Sequence, residues 1–402
     1  MKKIMILGAS ILQLPAIQKA KEMGLSVIAV DMDPDAIGFR EPDILREVIS
    51  TIDTEKVLAA AKKHCIDGIM TLASDMPMRT VAVVARELGL VGITEETALY
   101  ATNKAFMRQK LKDHGVPIPA FYRVQTKEEY DRAVAGFAKK NVKCIVKPAD
   151  NSGSRGVTLL PDSTDRQAAE NAYTYSKTYS RSGDLVVEEY MEGPEVSVET
   201  LSVDGICHVI QITDKLTTGA PYFVEMGHSQ PSVLPEETQE KIARVASAAV
   251  NAIGIQNGPS HTEIKVTKDG PKIVELGARL GGDNITTHLV PLSTGVNMVE
   301  NCIRIALGEK PDLTKRIQKG AAIRYIKADC GTITNISGLH EAEQTPGVTQ
   351  VSIVHGVGQE SRPIQSSVDR IGFVIARMGV PETAIKACED ALKNIKVEVK
   401  SQ

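Results

Sequence analysis

The chain has 402 residues, with 47 Lys and Arg against 50 Asp and Glu, which gives a formal net charge of −3. This near-neutral balance excludes a general electrostatic attraction to nucleic acid or to an anionic membrane. The absence of Trp and the 4% content of aromatic residues argue against stacking platforms for single-stranded nucleic acid. The length predicts about two or three domains with an ample core.

The six cysteines, at positions 65, 144, 207, 302, 330 and 388, show no CxxC spacing. This scatter fits reduced thiols better than a disulfide framework or a zinc site. The N-terminal MKKIMILGAS begins like a signal peptide, but its apolar run is short and leads into an amphipathic helix. We therefore expect a cytoplasmic protein with no export signal and no membrane span.

Residues 1–95 alternate between strand and helix patterns. A short apolar run, Ile4–Leu7, ends in Gly8 and is followed by a helical pattern and a second strand that ends in Asp31. This is the opening of a Rossmann-like half. Gly8-Ala9-Ser10 lacks the later glycines that admit a pyrophosphate, so the pattern predicts a small doubly wound sheet and only weakly a dinucleotide site.

Two segments that follow carry lysines and a flexible loop. Asn103-Lys104 opens a helix, and a strand at 144–146 delivers Lys147. The loop NSGSRGV at 151–157 is rich in small residues, which let backbone N–H groups fold closely over phosphates. Most glycine loops are only turns, but a strand ending in Lys just before this one would supply the positive charge that the loop lacks.

The segment LVVEEYMEGPEVSVE at 185–199 predicts two strands around a Gly-Pro break. Glu188 and Glu195 are then placed to face a nucleotide base and its ribose, or alternatively are charged strand residues facing solvent. Thr213–His228 predicts a strand, a mobile loop at 215–221 and a second strand bearing Glu225 and His228.

Asn257–Ile285 predicts a β-hairpin, and the loop length decides where its carboxylates point. A two-residue Asp269-Gly270 turn would pair Glu263 with Leu276. A three-residue loop with Gly270 left-handed would put Glu263 opposite Glu275. Two convergent carboxylates followed by Arg279, Asp283 and Asn284 would suit a hard cation such as Mg²⁺, and solvated surface glutamates are the alternative.

Taken together, these motifs resemble the ATP-grasp superfamily over residues 1 to about 310. The nearest resemblance is to its carbamoyl-phosphate-synthase-like and L-amino-acid-ligase branch, through the opening GASILQLPAIQKAKEMG and the segment FVEMGHSQP at 223–231. Each motif alone is weak, but the set occurs in the order found in the superfamily. Residues beyond 313 resemble the small β-rich C-terminal domain of the biotin-carboxylase and purine-synthesis branches.

The resemblance implies an α/β fold with a Rossmann-like domain at 1–95, an ATP-grasp domain at 96–312 and a β-rich domain at 313–402 that closes the site. It also implies the roles of individual residues. ATP and Mg²⁺, with Mn²⁺ as an alternative, would be the cofactors. The phosphates would be bound by Lys104, Lys147 and the loop residues Ser152, Gly153, Ser154 and Gly156; the adenosine by Glu188, Glu189, Tyr190, Met191 and Glu195; the metal by Glu263 and Glu275; and the acyl phosphate by the catalytic residues Arg279, Lys215 and His228.

The chain departs from the superfamily at one position. Asn usually stands two residues after the second metal-binding Glu, whereas this chain has Gly277. Either Asn284, Asp283 or water completes the coordination, or one of two metals is held more weakly. A single Mg²⁺ carried in with ATP is therefore the simpler expectation. Arg324, at the start of the third unit, is a further candidate for contact with the acceptor, and a purely structural arginine is the alternative.

The implied activity is an ADP-forming ligase that activates a carboxylate as an acyl phosphate and joins it to an amine, most simply of an amino acid or small peptide. A purine-type ligase acting on a phosphoribosylamine and a carboxyphosphate-forming enzyme are alternatives within the superfamily. A non-catalytic nucleotide-binding regulator and a nicotinamide dehydrogenase are alternatives from other classes. We expect small-molecule substrates, no nucleic acid or membrane partner, and a homodimer.

Overall fold

The computed structural model describes residues 1–400. Its N-terminal part is a four-stranded parallel sheet of order β3-β2-β1-β4, with three helices packed against it. The strands are β1 (Lys3–Leu7), β2 (Ser26–Asp31), β3 (Leu45–Val48) and β4 (Gly68–Thr71). The helices are α1 (Leu14–Glu22), α2 (Thr54–His64) and α3 (Met78–Leu88). The predicted doubly wound α/β opening is therefore present.

Two helices, α4 (Glu95–Thr102) and α5 (Lys104–Asp113), lead into a four-stranded antiparallel sheet of order β5-β8-β6-β7. Asn103 caps α5 by accepting hydrogen bonds from the backbone N–H groups of Ala105 and Phe106. The small sheet consists of β5 (Phe121–Val124), β6 (Cys144–Pro148), β7 (Thr158–Leu160) and β8 (Leu185–Glu189), covered by α6 (Lys127–Lys139) and α7 (Arg166–Tyr179).

An eight-stranded antiparallel sheet of order β13-β12-β9-β10-β11-β14-β18-β16 forms the body of the protein. Its strands are β9 (Glu195–Val203), β10 (Ile206–Thr217), β11 (Glu225–Gln230), β12 (Gly258–Thr267), β13 (Gly270–Gly277), β14 (Gly320–Ile326), β16 (Val348–Ile353) and β18 (Gly372–Met378). The last three follow residue 313 in sequence, so the C-terminal part extends the same sheet.

The remaining elements pack around this sheet. They are the helices α8 (Glu236–Ile253), α9 (Val290–Thr294), α10 (Met298–Ala306), α11 (Leu339–Glu343) and α12 (Pro381–Asn394), and a three-stranded sheet of β15 (Gly331–Ser337), β17 (Glu360–Ser361) and β19 (Lys396–Lys400). Short 3₁₀ turns lie at Ile37–Arg40 and Ser367–Asp369, and a π turn at Ile285–Leu289. Among residues 1–400 no helix combines the length and the apolar character that crossing a membrane requires.

A shared core fixes the N-terminal part against the hairpin β12–β13. One hydrophobic cluster includes Met5 of β1, Val81 of α3, Ile242 of α8, and Ile264 and Leu276 of the hairpin. Because all five side chains are buried, the face of the hairpin that bears Ile264 and Leu276 is held rigidly against the core. Glu263 and Glu275 are not part of this core cluster.

One predicted boundary is wrong. The sequence places Lys215 in a mobile loop at 215–221, but Lys215 lies within β10, where it pairs with His228 of β11. The connection between the two strands begins only after Thr217. Pairing with β11, which local sequence does not reveal, extends the strand to that residue.

Candidate active site

A cavity that opens to solvent lies between the small antiparallel sheet and the large sheet. Most of the predicted site residues line it, namely Lys104, Lys147, Ser152, Gly153, Ser154, Glu188, Glu189, Tyr190, Met191, Glu195, Lys215, Glu263 and Glu275. Gly156, His228 and Arg279 are not part of its wall. Lining residues that were not assigned a role from the sequence include Arg155, Phe223, Lys265 and Val274.

The hairpin brings the two predicted metal carboxylates together, by a route the sequence did not indicate. Glu263 lies directly opposite Glu275, as predicted. The turn, however, has two residues, with Thr267 paired to Gly270, and a β-bulge at Val274 shifts the register between Glu263 and Ile264. The bulge, rather than a three-residue loop, turns Glu275 to the same face as Glu263.

One buried arginine contacts this bulge. Arg108 is 1% exposed and donates from Nη2 to the main-chain oxygen of Val274 at 2.6 Å. Its Nε and Nη2 also donate to the two carboxylate oxygens of Glu188 at 2.6 and 3.1 Å. Arg108 lies four residues after Lys104, on the same face of α5, and that spacing is the signal that could have identified it.

Glu188 is paired with two cations and does not face an open edge of the cavity. Besides Arg108, it accepts a hydrogen bond from Lys147 Nζ at 3.0 Å. Burial would raise the pKa of Glu188, but the charges of Arg108 and Lys147 outweigh burial and lower the pKa to about 2. Glu188 thus forms an ion pair that orients Lys147, while it also lines the cavity, and its predicted contact with the base stays a prediction.

The two predicted metal carboxylates each contact a lysine. Lys104 Nζ donates to Glu275 Oε1 at 2.8 Å and to the main-chain oxygen of Asn151 at 2.5 Å. Lys215 Nζ lies 3.2 Å from Glu263 Oε1, 2.7 Å from Glu195 Oε1 and 3.4 Å from Glu225 Oε1. These ammonium groups neutralise carboxylates that would otherwise repel one another.

Electrostatics favour the charged forms of Lys215, Glu263 and His261. Burial would lower the pKa of Lys215, but three carboxylates raise it well above its ordinary value. Burial would raise the pKa of Glu263, but Lys215 and His261 hold it well below its usual range. His261 pairs through Nδ1 with the buried Glu199 at 2.6 Å, and this charge raises its pKa to about 9 against the effect of burial.

The carboxylate pair fits a Mg²⁺ ion that brings most of its ligands with it. Within residues 1–400 no group of three or more His, Cys, Asp or Glu side chains is placed to hold a metal. Mg²⁺ commonly uses one or two carboxylates and takes its other ligands from phosphates and water. Asp283, the alternative third ligand, is instead held by Arg370 through two hydrogen bonds of 2.8 Å.

The loop at 151–157 has the left-handed backbone that its small residues permit. Gly153, Ser154 and Gly156 have φ values of +66°, +57° and +76°. Gly153 faces open space, whereas a Cβ at Gly156 would lie 2.6 Å from Cγ of Pro148. Because Gly156 has no side chain, the loop can pack closely against Pro148, while Ser152 to Ser154 face the cavity.

Of the three predicted catalytic residues, Lys215 lines the cavity, whereas Arg279 and His228 lie outside its wall. Arg279 follows β13 and pairs with Asp75 of the N-terminal part. His228 of β11 is 2% exposed, and its Nε2 lies 3.4 Å from Asp283 Oδ2. The buried Arg324 guanidinium donates to the main-chain oxygens of His228 and Ile323 and does not line this cavity, and its reach to an acceptor stays a prediction.

The third unit contributes Arg370, which pairs with Asp283. Its guanidinium carbon lies 3.7 Å from the ring centroid of Tyr325, and its Nη1 donates to the main-chain oxygen of Glu225 at 3.2 Å. Arg370 therefore connects the C-terminal strands to Asp283 and to the start of β11. The sequence analysis did not single it out, because nothing local marks an arginine that acts across distant strands.

Comparison with known proteins agrees with this geometry. Residues 140–287 match the ATP-grasp domain, and residues 324–400 match the L-amino acid ligase C-terminal domain 2. The L-arginine-specific L-amino acid ligase of Bacillus subtilis is 30% identical over 306 residues, which cover 72% of this chain and 69% of that protein.

Two solved structures share the whole architecture. The L-amino acid ligase from Bacillus licheniformis has a TM-score of 0.84 and 26% identity, covering 100% of this chain and 99% of that one. Phosphoribosylglycinamide synthetase from Anaerococcus prevotii has a TM-score of 0.80 and 21% identity, covering 99% and 100%, a likeness of fold alone. The chain belongs to the ATP-grasp ligases, in the L-amino acid ligase family, whose members use ATP with Mg²⁺ to form carbon–nitrogen bonds.

Proposed function

We propose that this enzyme joins the carboxylate of one amino acid to the amino group of another amino acid or small peptide, with release of ADP and phosphate. The observation that carries the proposal is the convergence of Lys104, Lys147, Glu263 and Glu275 on one cavity, in a chain whose residues 324–400 match the L-amino acid ligase C-terminal domain 2. The two lysines and two carboxylates fit the phosphates of ATP and a Mg²⁺ ion. The C-terminal match favours amino acids over a phosphoribosylamine as substrates.

In the proposed reaction, a substrate carboxylate oxygen attacks the γ-phosphorus of ATP, and the bond to the β-phosphate oxygen breaks to give an acyl phosphate and ADP. The neutral amine of the second substrate then attacks the acyl carbon, an amide bond forms, and phosphate and a proton are released. Because a carboxylate is a poor phosphoryl acceptor, positioning and charge neutralisation carry most of the catalysis.

We assign the residues as follows. Lys104 and Lys147 bind the phosphates, with Ser152, Gly153 and Ser154 folding over them and Gly156 allowing that fold. The backbone of Glu189 to Met191 holds the base and Glu195 the ribose, while Glu188 orients Lys147. Arg279, Lys215 and His228 surround the transferring phosphoryl group.

Mg²⁺, or Mn²⁺ in its place, would be held by Glu263 and Glu275 and would supply neutralisation of phosphate charge. Lys215 and Lys104, which now contact these carboxylates, would then turn towards phosphate oxygens. The two carboxylates would then be neutralised by the metal ion in place of the lysines. The two ammonium groups would be free to stabilise the charge that develops on the γ-phosphoryl group.

We also propose a homodimer in the cytoplasm. All six cysteines are unpaired, as expected where thiols stay reduced. Sedimentation measurements would determine the number of subunits, and a monomer at all concentrations would contradict the proposal.

The test of function is the release of phosphate from Mg·ATP in the presence of pools of amino acids, with ADP and AMP separated. Phosphate and ADP that depend on two amino acids, together with a dipeptide seen by mass spectrometry, would support the ligase. AMP and pyrophosphate would replace the proposed mechanism by adenylation. Activity with glycine and a phosphoribosylamine alone would identify the purine-type alternative.

A further inference from the structure

The Arg279 guanidinium is held by a carboxylate from the other end of the chain. Arg279 Nε donates to Asp75 Oδ1 at 2.8 Å, and Nη2 donates to Asp75 Oδ2 at 3.3 Å. Asp75 lies in the turn that follows β4, so two residues 204 positions apart form a two-point contact. Both side chains are about 15% exposed, at 16% for Arg279 and 15% for Asp75.

This contact leaves part of the guanidinium free. Arg279 Nη1 donates to the main-chain oxygen of Leu280 at 3.3 Å. A guanidinium carries five N–H groups, and these three hydrogen bonds leave one N–H on each terminal nitrogen. Such a pair of adjacent donors matches two oxygens of a phosphoryl group.

The backbone around the pair leaves room for Asp75. A Cβ on Gly277 would lie 2.8 Å from Asp75 Oδ1 and 3.3 Å from Arg279 Nε. Gly277 has an ordinary negative φ, so its backbone does not require glycine. The space beside it is instead occupied by the Asp75–Arg279 pair, which accounts for a residue without a side chain at this position.

The segment that carries Asp75 is anchored by Gln13, the residue that precedes α1. Gln13 is 2% exposed, and its Nε2 donates to the main-chain oxygen of Leu72 at 2.6 Å and to Ser74 Oγ at 3.1 Å. A Cβ on Gly8 would lie 2.7 Å from the Gln13 side chain. The crevice beyond the carboxyl ends of β1 and β4, where many α/β sheets bind a ligand, is therefore filled by this glutamine.

We propose that Asp75 is a positioning residue for Arg279 and that Gln13 holds the Asp75 segment in place. The N-terminal part thus supports the catalytic arginine from the crevice in which many other α/β proteins bind a nucleotide. The inference rests on the role proposed above for Arg279. A guanidinium free to rotate would need to be ordered in every turnover, and misplacement by about 1 Å can cost roughly 10²-fold in rate.

The experiment compares Asp75→Asn and Asp75→Ala with the wild type for kcat, KM, thermal unfolding and calorimetric ADP binding. Asn keeps the shape and one acceptor, whereas Ala removes both acceptors. We expect kcat to fall about tenfold for Asn and about 10²-fold for Ala, with ADP affinity unchanged. The matched control is Asp184→Asn. Asp184 accepts hydrogen bonds of 3.0 and 2.6 Å from Nε and Nη2 of Arg123, and it does not line the cavity. The kcat of this variant should stay within about twofold of the wild type.

Two further variants separate positioning from general stability. In an Arg279→Lys background, Asp75→Ala should produce no further loss of kcat, because its effect passes through Arg279. Gly277→Ala should lower kcat by crowding Asp75, and the loss should be smaller when Asp75 is already Ala. If Asp75→Ala does not fold, the Asn variant and Gly277→Ala carry the same comparison.

The failures are distinguishable. Wild-type kcat in Asp75→Ala, or losses that multiply in the Arg279→Lys background, would overturn the positioning role while leaving the ligase intact. Full activity of Arg279→Lys and Arg279→Ala would overturn the role of Arg279 in the proposed function, and the inference with it.

Discussion

Arg108 donates a hydrogen bond to the main-chain oxygen of Val274, the extra residue of the bulge that sets Glu275 opposite Glu263. A buried helix residue thus fixes the register of a hairpin whose bulge lies 166 positions further along the chain. Because the same guanidinium pairs with Glu188, which in turn pairs with Lys147, this lysine and the carboxylates of Glu263 and Glu275 share one structural support.

Arg108→Ala tests this support. The change leaves Glu188 buried with only Lys147, and removing one partner of a buried ion pair costs about 3–5 kcal/mol of unfolding free energy. We expect urea unfolding to show that loss, together with weaker ADP binding. The exposed Lys112, also on α5, provides the control, since Lys112→Ala should change stability by about 0.5 kcal/mol or less. Wild-type stability of Arg108→Ala would contradict this account.

The Glu188 pair predicts a pH dependence of stability. Its pKa is lowered to about 2 in the folded protein, so its contribution is complete above the ordinary value of 4.5 and is lost as the pH falls towards 2. The shift corresponds to about 3 kcal/mol. The difference in unfolding free energy between the wild type and Glu188→Gln should therefore be largest near pH 7 and narrow below pH 4.5. A difference that is constant down to pH 3 would contradict the assignment.

Glu263→Gln and Glu275→Gln test the carboxylate pair. Each removes one anionic ligand, so the Mg²⁺ concentration for half-maximal activity should rise by about 10- to 100-fold at saturating ATP. Asp269→Asn, in the turn of the same hairpin and 62% exposed, serves as the control and should keep the wild-type Mg²⁺ dependence. An unchanged Mg²⁺ requirement in both Glu variants would place the metal elsewhere.

The glycines of the 151–157 loop should not be equivalent. Gly153→Ala adds a methyl group in open space at φ +66° and should cost only about 1–2 kcal/mol of local strain. Gly156→Ala adds a Cβ at 2.6 Å from the Pro148 ring at φ +76°, so the loop must shift. We expect a much larger rise in KM for ATP in Gly156→Ala than in Gly153→Ala, measured by steady-state kinetics. Equal KM values would show that this packing does not position the loop.

Local patterns were sufficient for much of the fold and the site. The period-2 pattern of the hairpin strands marks Glu263 and Glu275, and the end of an apolar strand marks Lys147. The structure places all three side chains in one cavity. The bulge at Val274 was not predictable in this way, because it depends on the Arg108 side chain arriving from a distant helix.

Long-range pairs account for the other differences. Asp75 meets Arg279 because the N-terminal sheet packs against the hairpin, a contact that no local pattern predicts. Lys215 has the local sequence pattern of a loop residue, but three carboxylates surround it in the structure. A charged side chain on a strand has the same local pattern whether solvent or a buried partner faces it. Burial and partner identity are tertiary properties that a single sequence does not encode locally.

The continuity of the eight-stranded sheet limits how this enzyme can be re-engineered. Cutting the chain before β14 would leave the outer edge of β11 without its hydrogen-bonding neighbour, beside Glu225 and His228. An exposed edge of that kind favours aggregation. Truncated forms or chimaeras joined near residue 313 would therefore be poor tools for changing specificity, and exchange of side chains within the intact sheet is the sounder route.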